Sequence, residues 1–378
     1  MQKHIDNERG IALLIAIIAI VVVGGLLIGV STSARLEHRQ ALNTEEMAQA
    51  FAVTELGLSE TVANWYAGNF NFMAVMDEVP IASASPQGAG SYAGNIKRLS
   101  PELFFLDVTG TSAHGRSRQR LGTFVKLQPL TVEIEASLTT RGGVRRAGNG
   151  QIDGTDLPPA GWAACTGTDD TAGIRVPAGG MVDDGGCPTC IDGDPRIEID
   201  PSIDDDTFFN FGDLDWDALT AMATKTGFTL TNPDVGPTFG AGGECNFGDP
   251  ENWGDPLNSG STCGNYFPII YAPGDLRLNV GVGQGMLLVE GDLIINGVFE
   301  FYGIVIVRGS MTTQGGGAGA IHFRGGVMAA NVDLDDNRIA GNAQIQYSSC
   351  VVTRAQTAAG IGSQLRSRGW LQFFSWSD

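Results

Sequence analysis

The sequence predicts an α+β part followed by an all-β part. A long N-terminal helix, transmembrane at its start, carries a small antiparallel sheet, and a parallel β-helix interrupted by a loop-rich insertion follows. Three observations predict this. Ile11–Val30 holds twenty residues without a charge, about 30 Å of helix, which matches a bilayer's hydrocarbon core. Helical periodicity then continues to about Tyr66, with no proline before Pro80. Finally, a glycine recurs every six residues at Gly285, Gly291, Gly297, Gly303, Gly309 and Gly315.

Residues 1–10 are short and polar, with Lys3 and Arg9, and end in Glu8-Arg9-Gly10 directly at the apolar run. That run is too long for a secretory signal, and the small residues Ser31–Ala34 lie beyond it. A cut between Gly10 and Ile11 would leave the apolar helix as the mature N-terminus, with Ile11, Leu14, Ile15, Ile18, Val22 and Leu26 among its lipid- or filament-facing residues. An uncleaved signal anchor is the plainer alternative.

Over residues 11–80, the segment assigned to the long helix, the second half becomes amphipathic. Met47, Phe51, Leu58, Val62 and Trp65 form one apolar stripe, Glu55 lies near it, and Glu45, Glu46, Gln49 and Glu60 populate the rest. This is the pattern of a rod, roughly 84 Å long from Ile11 to Tyr66, with one end in lipid and the other packed on a domain. Glu55 reads as a contact from helix to domain.

The leader, the apolar helix after Gly10, and the stretch Gln49-Ala-Phe-Ala-Val-Thr-Glu-Leu-Gly-Leu58 together resemble the N-terminal region of PilX-type minor pilins. The resemblance covers about sixty residues of the type IV pilin and pseudopilin superfamily. It implies processing by a prepilin peptidase, single-pass residence in the inner membrane with the body in the periplasm, and later a place in a pilus or at the cell surface. It also implies other minor and major pilin-like subunits as partners. Major pilins carry Glu as the fifth mature residue, where this chain has Ile15. PilX-type and secretion K-type minor subunits also lack that Glu, which suits a subunit at the filament tip.

Residues 81–136 read as a pilin-like antiparallel meander, with strands at Ile96–Leu99, Leu103–Val108 and Leu121–Leu127 separated by turn residues. Arg116, Arg118 and Arg120 alternate and share one strand face, by default a solvated one.

The glycine ladder defines the main β-helix, residues 266–350. Counting from each Gly, the second and fourth residues are apolar in nine cases of ten, from Leu287/Val289 to Met311/Thr313. A longer beat at Gly274, Gly291, Gly309 and Gly326, with spacings of 17, 18 and 17, gives three sides per coil. Gly142, Gly148 and Gly154 repeat the six-residue step, so residues 137–154 read as a first part of the same solenoid, stacked against residues 270–290. Residues 155–265 form the insertion, with a short helix expected at Leu214–Thr226 behind Asp213. Met286, Leu288, Ile304 and Ile306 fall on the outside of one side, where the sheet or the long helix would have to cover them. The tail, 351–378, ends in Trp370, Phe373, Phe374 and Trp376, suited to closing the open end of the solenoid or to an assembly contact.

A net charge of −19 argues against nucleic acid as a partner. The six cysteines all follow the apolar helix, as in an oxidising compartment. Cys245 and Cys263 share one loop and are the first pairing expected, while Cys165, Cys187, Cys190 and Cys350 leave alternatives open. No catalytic motif is apparent, and the chain is read as a non-enzyme without a cofactor. Asp204, Asp206, Asp213 and Asp215 are weak calcium candidates, and solvated acidic loops are the plainer reading. The favoured function is thus a minor pilin-like subunit that assembles or caps a filament and displays its β-helix. The alternative is a membrane-anchored β-helix protein acting on or binding polysaccharide.

Overall fold

The computed structural model describes residues 6–65, 70–84, 88, 90–162, 165–167, 170–211, 214–314, 320–334, 342–365 and 371–373. Helix α1 (Asp6–Ala63) is one uninterrupted element of 58 residues, about 87 Å long. Its backbone runs through Gly10 and Ile11 without a break, and it stops at Ala63, close to the expected end near Tyr66 and well before the segment boundary at residue 80. Residues 1–5 of the expected leader lie outside the described part.

Strands β1 (Glu78–Ala84), β2 (Gly90–Arg98), β3 (Leu103–Ser112) and β4 (Arg118–Gln128) form an antiparallel meander. β3 alternates in burial, and Phe104, Leu106 and Val108 face the core with no exposure. Leu121, Val125 and Leu127 of β4 join them against α1. β1 escaped the sequence reading, which assigned its start to the helix.

The second sheet is parallel. β5 (Ala136–Thr140), β6 (Val144–Arg146) and β7 (Gln151–Asp153) form three sides of one turn. β8 (Ala172–Val176), β9 (Val182–Asp183) and β10 (Ile191–Asp192) pair in parallel with those three sides in turn, and β11 (Ile197–Ile199) pairs with β8. The chain then leaves the stack through a small hairpin, β12 (Asn210–Phe211) and β13 (Leu214–Asp215), and helix α2 (Trp216–Ala221). α2 is shorter than the helix expected at 214–226.

Lys225, Thr231 and Val235 next bridge in parallel to Ile270, Arg277 and Gly281, laying a partial turn on the other end of the stack. From there β14 (Ile269–Ala272), β15 (Leu276–Val289), β16 (Leu293–Thr313), β17 (Ala320–Leu334) and β18 (Asn342–Tyr347) stack one on the next. β15 and β16 each pass several sides, pairing Leu276 with Leu293 and Met286 with Ile304.

The inward positions of the glycine ladder, Leu287 through Thr313, are all buried. The longer beat holds only in part. Gly291 donates to the Gly274 carbonyl (3.3 Å) and Gly309 to that of Gly291 (3.1 Å), but Gly326 lies beside Ile304. The coil after Gly309 is longer than its predecessors, so the last spacing of 17 does not reflect a stacked corner. Gly315 is outside the described residues. A second glycine column does stack: Gly325 (φ 130°) lies on Gly303, which lies on Gly285 (φ 111°), and a Cβ on Gly303 would meet the Gly285 carbonyl oxygen at 1.8 Å.

Residues 142–154 belong to this sheet but do not stack on residues 270–290. β5 and β6 pair with β17, and β7 with β18, at the opposite end of the later coils. The insertion is therefore not external to the stack, because β8–β11 extend it. The chain enters mid-stack, builds to one end, crosses over, restarts at the other end and closes back on its own beginning.

Trp253 and Phe228 plug the β14–β15 end of the stack, a closing role the sequence reading assigns to the aromatic tail instead. Both join the interior cluster, with Trp253 edge-on to Phe228 (5.3 Å) and to Phe299 (6.4 Å). Gly283 makes the room, since a Cβ there would sit 3.1 Å from both Trp253 and Phe301.

Helix α3 (Ser349–Ala358) follows β18, and then β19 (Ile361–Gln364) and β20 (Leu371–Phe373) return to pair with β4. The parallel body is thus inserted between β4 and β19 of the antiparallel sheet. Met286, Leu288, Ile304 and Ile306 are fully buried, but neither that sheet nor α1 covers them. Their cover is Val351, Val352 and Ala355 of α3, Trp216 and Leu219 of α2, and the connector residues Leu130 and Val132. Trp370, Phe374 and Trp376 lie outside the described residues.

Candidate functional site: the exposed helix and its joint to the body

From Leu13 to Val30 every large apolar side chain of α1 is exposed, from 53% at Val23 to 71% at Ile20. Leu14, Ile15, Ile18, Val22 and Leu26 are among them. The helix is long and apolar enough to cross a membrane by length and composition, with a mean hydropathy of 3.2 in its most apolar window. Covering such a side chain is worth about 1.5–3 kcal/mol each, so the run demands lipid or neighbouring helices.

The lower half packs differently from the predicted stripe. Phe51 and Val62 are partly buried, and Leu58 and Trp65 are buried, but Met47 is 53% exposed and Glu55 is exposed. The buried seam runs Ala50, Val53, Thr54, Gly57, Leu58, Thr61 and Trp65, rich in small residues. Small residues win because helix and sheet touch almost backbone to backbone. A Cβ on Gly110 would lie 2.5 Å from the Ala50 carbonyl oxygen, and one on Gly57 would lie 2.7 Å from the Tyr92 ring. Thr54 Oγ1 accepts from the Gly110 N–H at 3.1 Å and donates to the Ala50 carbonyl at 2.7 Å.

Polar residues of α1 assigned to solvent also make contacts. Glu46 accepts from Ser112 Oγ (2.7 Å) and pairs with His114 and Arg116. Gln49 Oε1 accepts from the Ala113 N–H at 3.1 Å, and Glu60 accepts from Tyr92 Oη at 2.8 Å. Burial first, then the Glu60 carboxylate, raise the Tyr92 phenol above its ordinary pKa. The apolar period alone gave no signal for these three. Of the alternating arginines, Arg120 pairs with Asp107.

The joint between helix, sheet and body lies just past α1. Trp65 Nε1 donates to Asn71 Oδ1, and Asn71 Nδ2 donates to the carbonyls of Ala358 (2.6 Å) and Gly360 (2.8 Å). Arg98 Nη1 donates to the Asn71 carbonyl at 2.9 Å. Phe72 lies edge-on to Tyr266 of the body at 4.7 Å and stacks on Phe247 at 6.2 Å. Side chains just past α1, main-chain carbonyls at the end of α3, and the Phe247 and Tyr266 rings thus meet within one cluster. The body is fixed to the end of α1 away from the apolar run.

The cysteines pair as Cys165–Cys350, Cys187–Cys190 and Cys245–Cys263. The first ties the start of α3 to the insertion. Among the described residues, no group of three or more His, Cys, Asp or Glu side chains gathers to hold a metal ion. Asp215 caps α2, accepting from the Ala218 N–H at 2.8 Å, and Asp204 accepts from the Thr207 N–H at 3.2 Å. Asp206 is exposed in a short 3-10 turn, and Asp213 lies outside the described residues.

The geometry defines a class: a parallel-stranded body inserted into an antiparallel sheet and carried on one long, half-exposed helix. No family model matches the chain, and no curated protein does. Among solved structures, the competence-associated pilin ComZ from Thermus thermophilus is similar at 11% identity, over 87% of this chain and 97% of that one, with a TM-score of 0.24. A likeness of that degree carries no functional argument.

Proposed function

We propose that this chain is a structural, non-catalytic subunit of a type IV pilus-like filament, of the PilX-type minor pilin class. A prepilin peptidase cuts between Gly10 and Ile11. The apolar run, through residues such as Ile15 and Val22, then holds the subunit in the inner membrane, with its body on the periplasmic side. During assembly the same run leaves lipid and joins a bundle of helices from other pilin-like subunits. The parallel body, a β-helix, is displayed at the outer end. With Ile15 where major pilins have an acidic residue, the subunit sits at the tip, where no neighbour above needs its amine neutralised.

One observation carries this reading. α1 is unbroken, yet Leu13–Val30 is exposed and apolar on every side while the stretch from Ala50 onward packs into the core. A simple anchor could join its body through a flexible linker, whereas a filament subunit must pass the position of its helix on to its head. Mass spectrometry of the membrane-purified protein should find Ile11 as the first residue. An intact Met1, with filaments unchanged when the protein is deleted, would falsify the proposal.

A further inference from the structure

One outer face of the parallel body carries a column of side chains turned away from the interior, two of them glutamines that make no hydrogen bond to any described residue. The register of β15–β18 and β7 places Val282, Glu300, His322, Gln344 and Gln151 side by side on successive coils. Their partners on either side in each strand point inward, as Phe299, Phe301, Ile321 and Phe323 do, so these five point out. Glu300 and His322 are about a quarter exposed (28% and 26%), and Gln151 is open.

The neighbouring outward column is already occupied. Tyr302 is stacked under Trp162 at 5.7 Å, Gln284 donates to the Cys263, Gly264 and Tyr266 carbonyls, and Gln346 donates to that of Thr155. In the open column Glu300 accepts from Tyr302 Oη at 3.1 Å and faces His322 Nδ1 at 4.0 Å. The amides of Gln344 and Gln151 make no hydrogen bond to any described residue. Beyond Val282 the column runs into an apolar groove of about 470 Å³, lined by Val280, Val298, Leu257 and Pro237. Burial lowers the His322 pKa more than Glu300 raises it, so the imidazole is neutral at pH 7.

We propose that this face binds a neutral, equatorially linked polysaccharide running along the stack, one ring per coil. Three features select that ligand. Coils repeat at the strand spacing of about 4.8 Å, and an extended chain of equatorially linked hexoses advances by nearly the same step per ring. An extended peptide advances along its axis by a different step, so its side chains fall out of register with the column. Gln151 and Gln344 each offer a donor and an acceptor, and Glu300 offers acceptors, which is what sugar hydroxyls require. The apolar groove takes the C–H face of a terminal ring. The net charge of −19, with Glu300 on the face and Asp234 in the groove, opposes anionic polymers.

The full chain in detergent should bind cellohexaose by titration calorimetry and leave oligogalacturonate unbound. The double variant Gln151→Ala/Gln344→Ala should weaken cellohexaose binding at least tenfold, while Arg120→Ala on the antiparallel sheet leaves it unchanged. Both glutamines point outward and make no hydrogen bond to any described residue, so the double variant keeps the fold. Absence of cellohexaose binding at millimolar concentration, equal affinity in the double variant, or preferential retention on gelatin each overturns the assignment.

Discussion

Lys225 is a cation buried in the body. It is 1% exposed, and its ammonium donates to the carbonyls of Phe247 (2.7 Å) and Asp249 (2.6 Å) beside the Tyr266 ring. Burial brings its pKa from 10.5 down to about 8, against the pull of Asp249. A lysine whose folded pKa lies below its unfolded one holds its proton longer in the unfolded chain. Its charge therefore penalises the folded state in full below pH 8, and the penalty fades between about pH 8 and 10.5. Tyr302, which burial raises to about 12, acts in the opposite sense above pH 10, as does Tyr266. The measure is thus a difference between two proteins that share those tyrosines. Thermal unfolding of the native chain should gain on Lys225→Met by on the order of 2–3 kcal/mol from pH 8 to 10.5. A difference that stays flat across that range would show that the two carbonyls fully compensate the charge.

Among the elements, α3 joins the modules. One of its faces, Val351, Val352 and Ala355, lies on Met286, Leu288, Ile304 and Ile306. Its end is held by Asn71, and its start by Asp156, which accepts from the Ser349 N–H at 2.9 Å. The Cys165–Cys350 bridge closes a separation of 185 residues, so in the chain-entropy limit it stabilises by about 5 kcal/mol. Cys187–Cys190, with a separation of 3, contributes about 2 kcal/mol or less by the same relation. Replacing Cys165 and Cys350 by serine should lower the unfolding midpoint and raise binding of a hydrophobic dye as α3 loosens. Replacing Cys187 and Cys190 should do neither, and an equal effect from both pairs would remove this role for α3. The inward side chains of β15 and β16 were legible because two-residue alternation is a local constraint. The cover over Met286 and Ile304 was not, because α3 packs through valines and alanines that form no strong apolar stripe. The pairing of β5 with β17 joins segments about 190 residues apart, and nothing local encodes which coil a returning chain will meet. Gly110 and Gly57 are the residues from which the close helix–sheet seam could have been anticipated. Their missing side chains moved the contact from Met47 to Ala50 and Thr54.

For the whole molecule, the outcome depends on where α1 divides. Val53, Leu58 and Trp65 belong to the sheet's core, and burying each contributes about 1.5–3 kcal/mol. Leu13–Val30 contributes nothing to that core, and from Ser31 to Glu45 the helix is exposed throughout. The first described contacts between α1 and the sheet come at Glu46 and Gln49. The chain therefore contains a self-sufficient body beginning near residue 40 and a lever that the body does not need in order to fold. Removing residues 1–39 should give a protein that is monomeric without detergent, with circular dichroism lower in helix but unchanged in strand. Its unfolding midpoint should lie within a few degrees of the full chain's in detergent. Removing residues 1–58 should abolish folding, since Gly110 and Tyr92 would then face water across an opened core. If the shorter truncation aggregates, the exposed run is shielding apolar surface on the body. The body and lever would then be one folding unit, and the proposed passage of the helix from lipid to a filament would require unfolding part of the head.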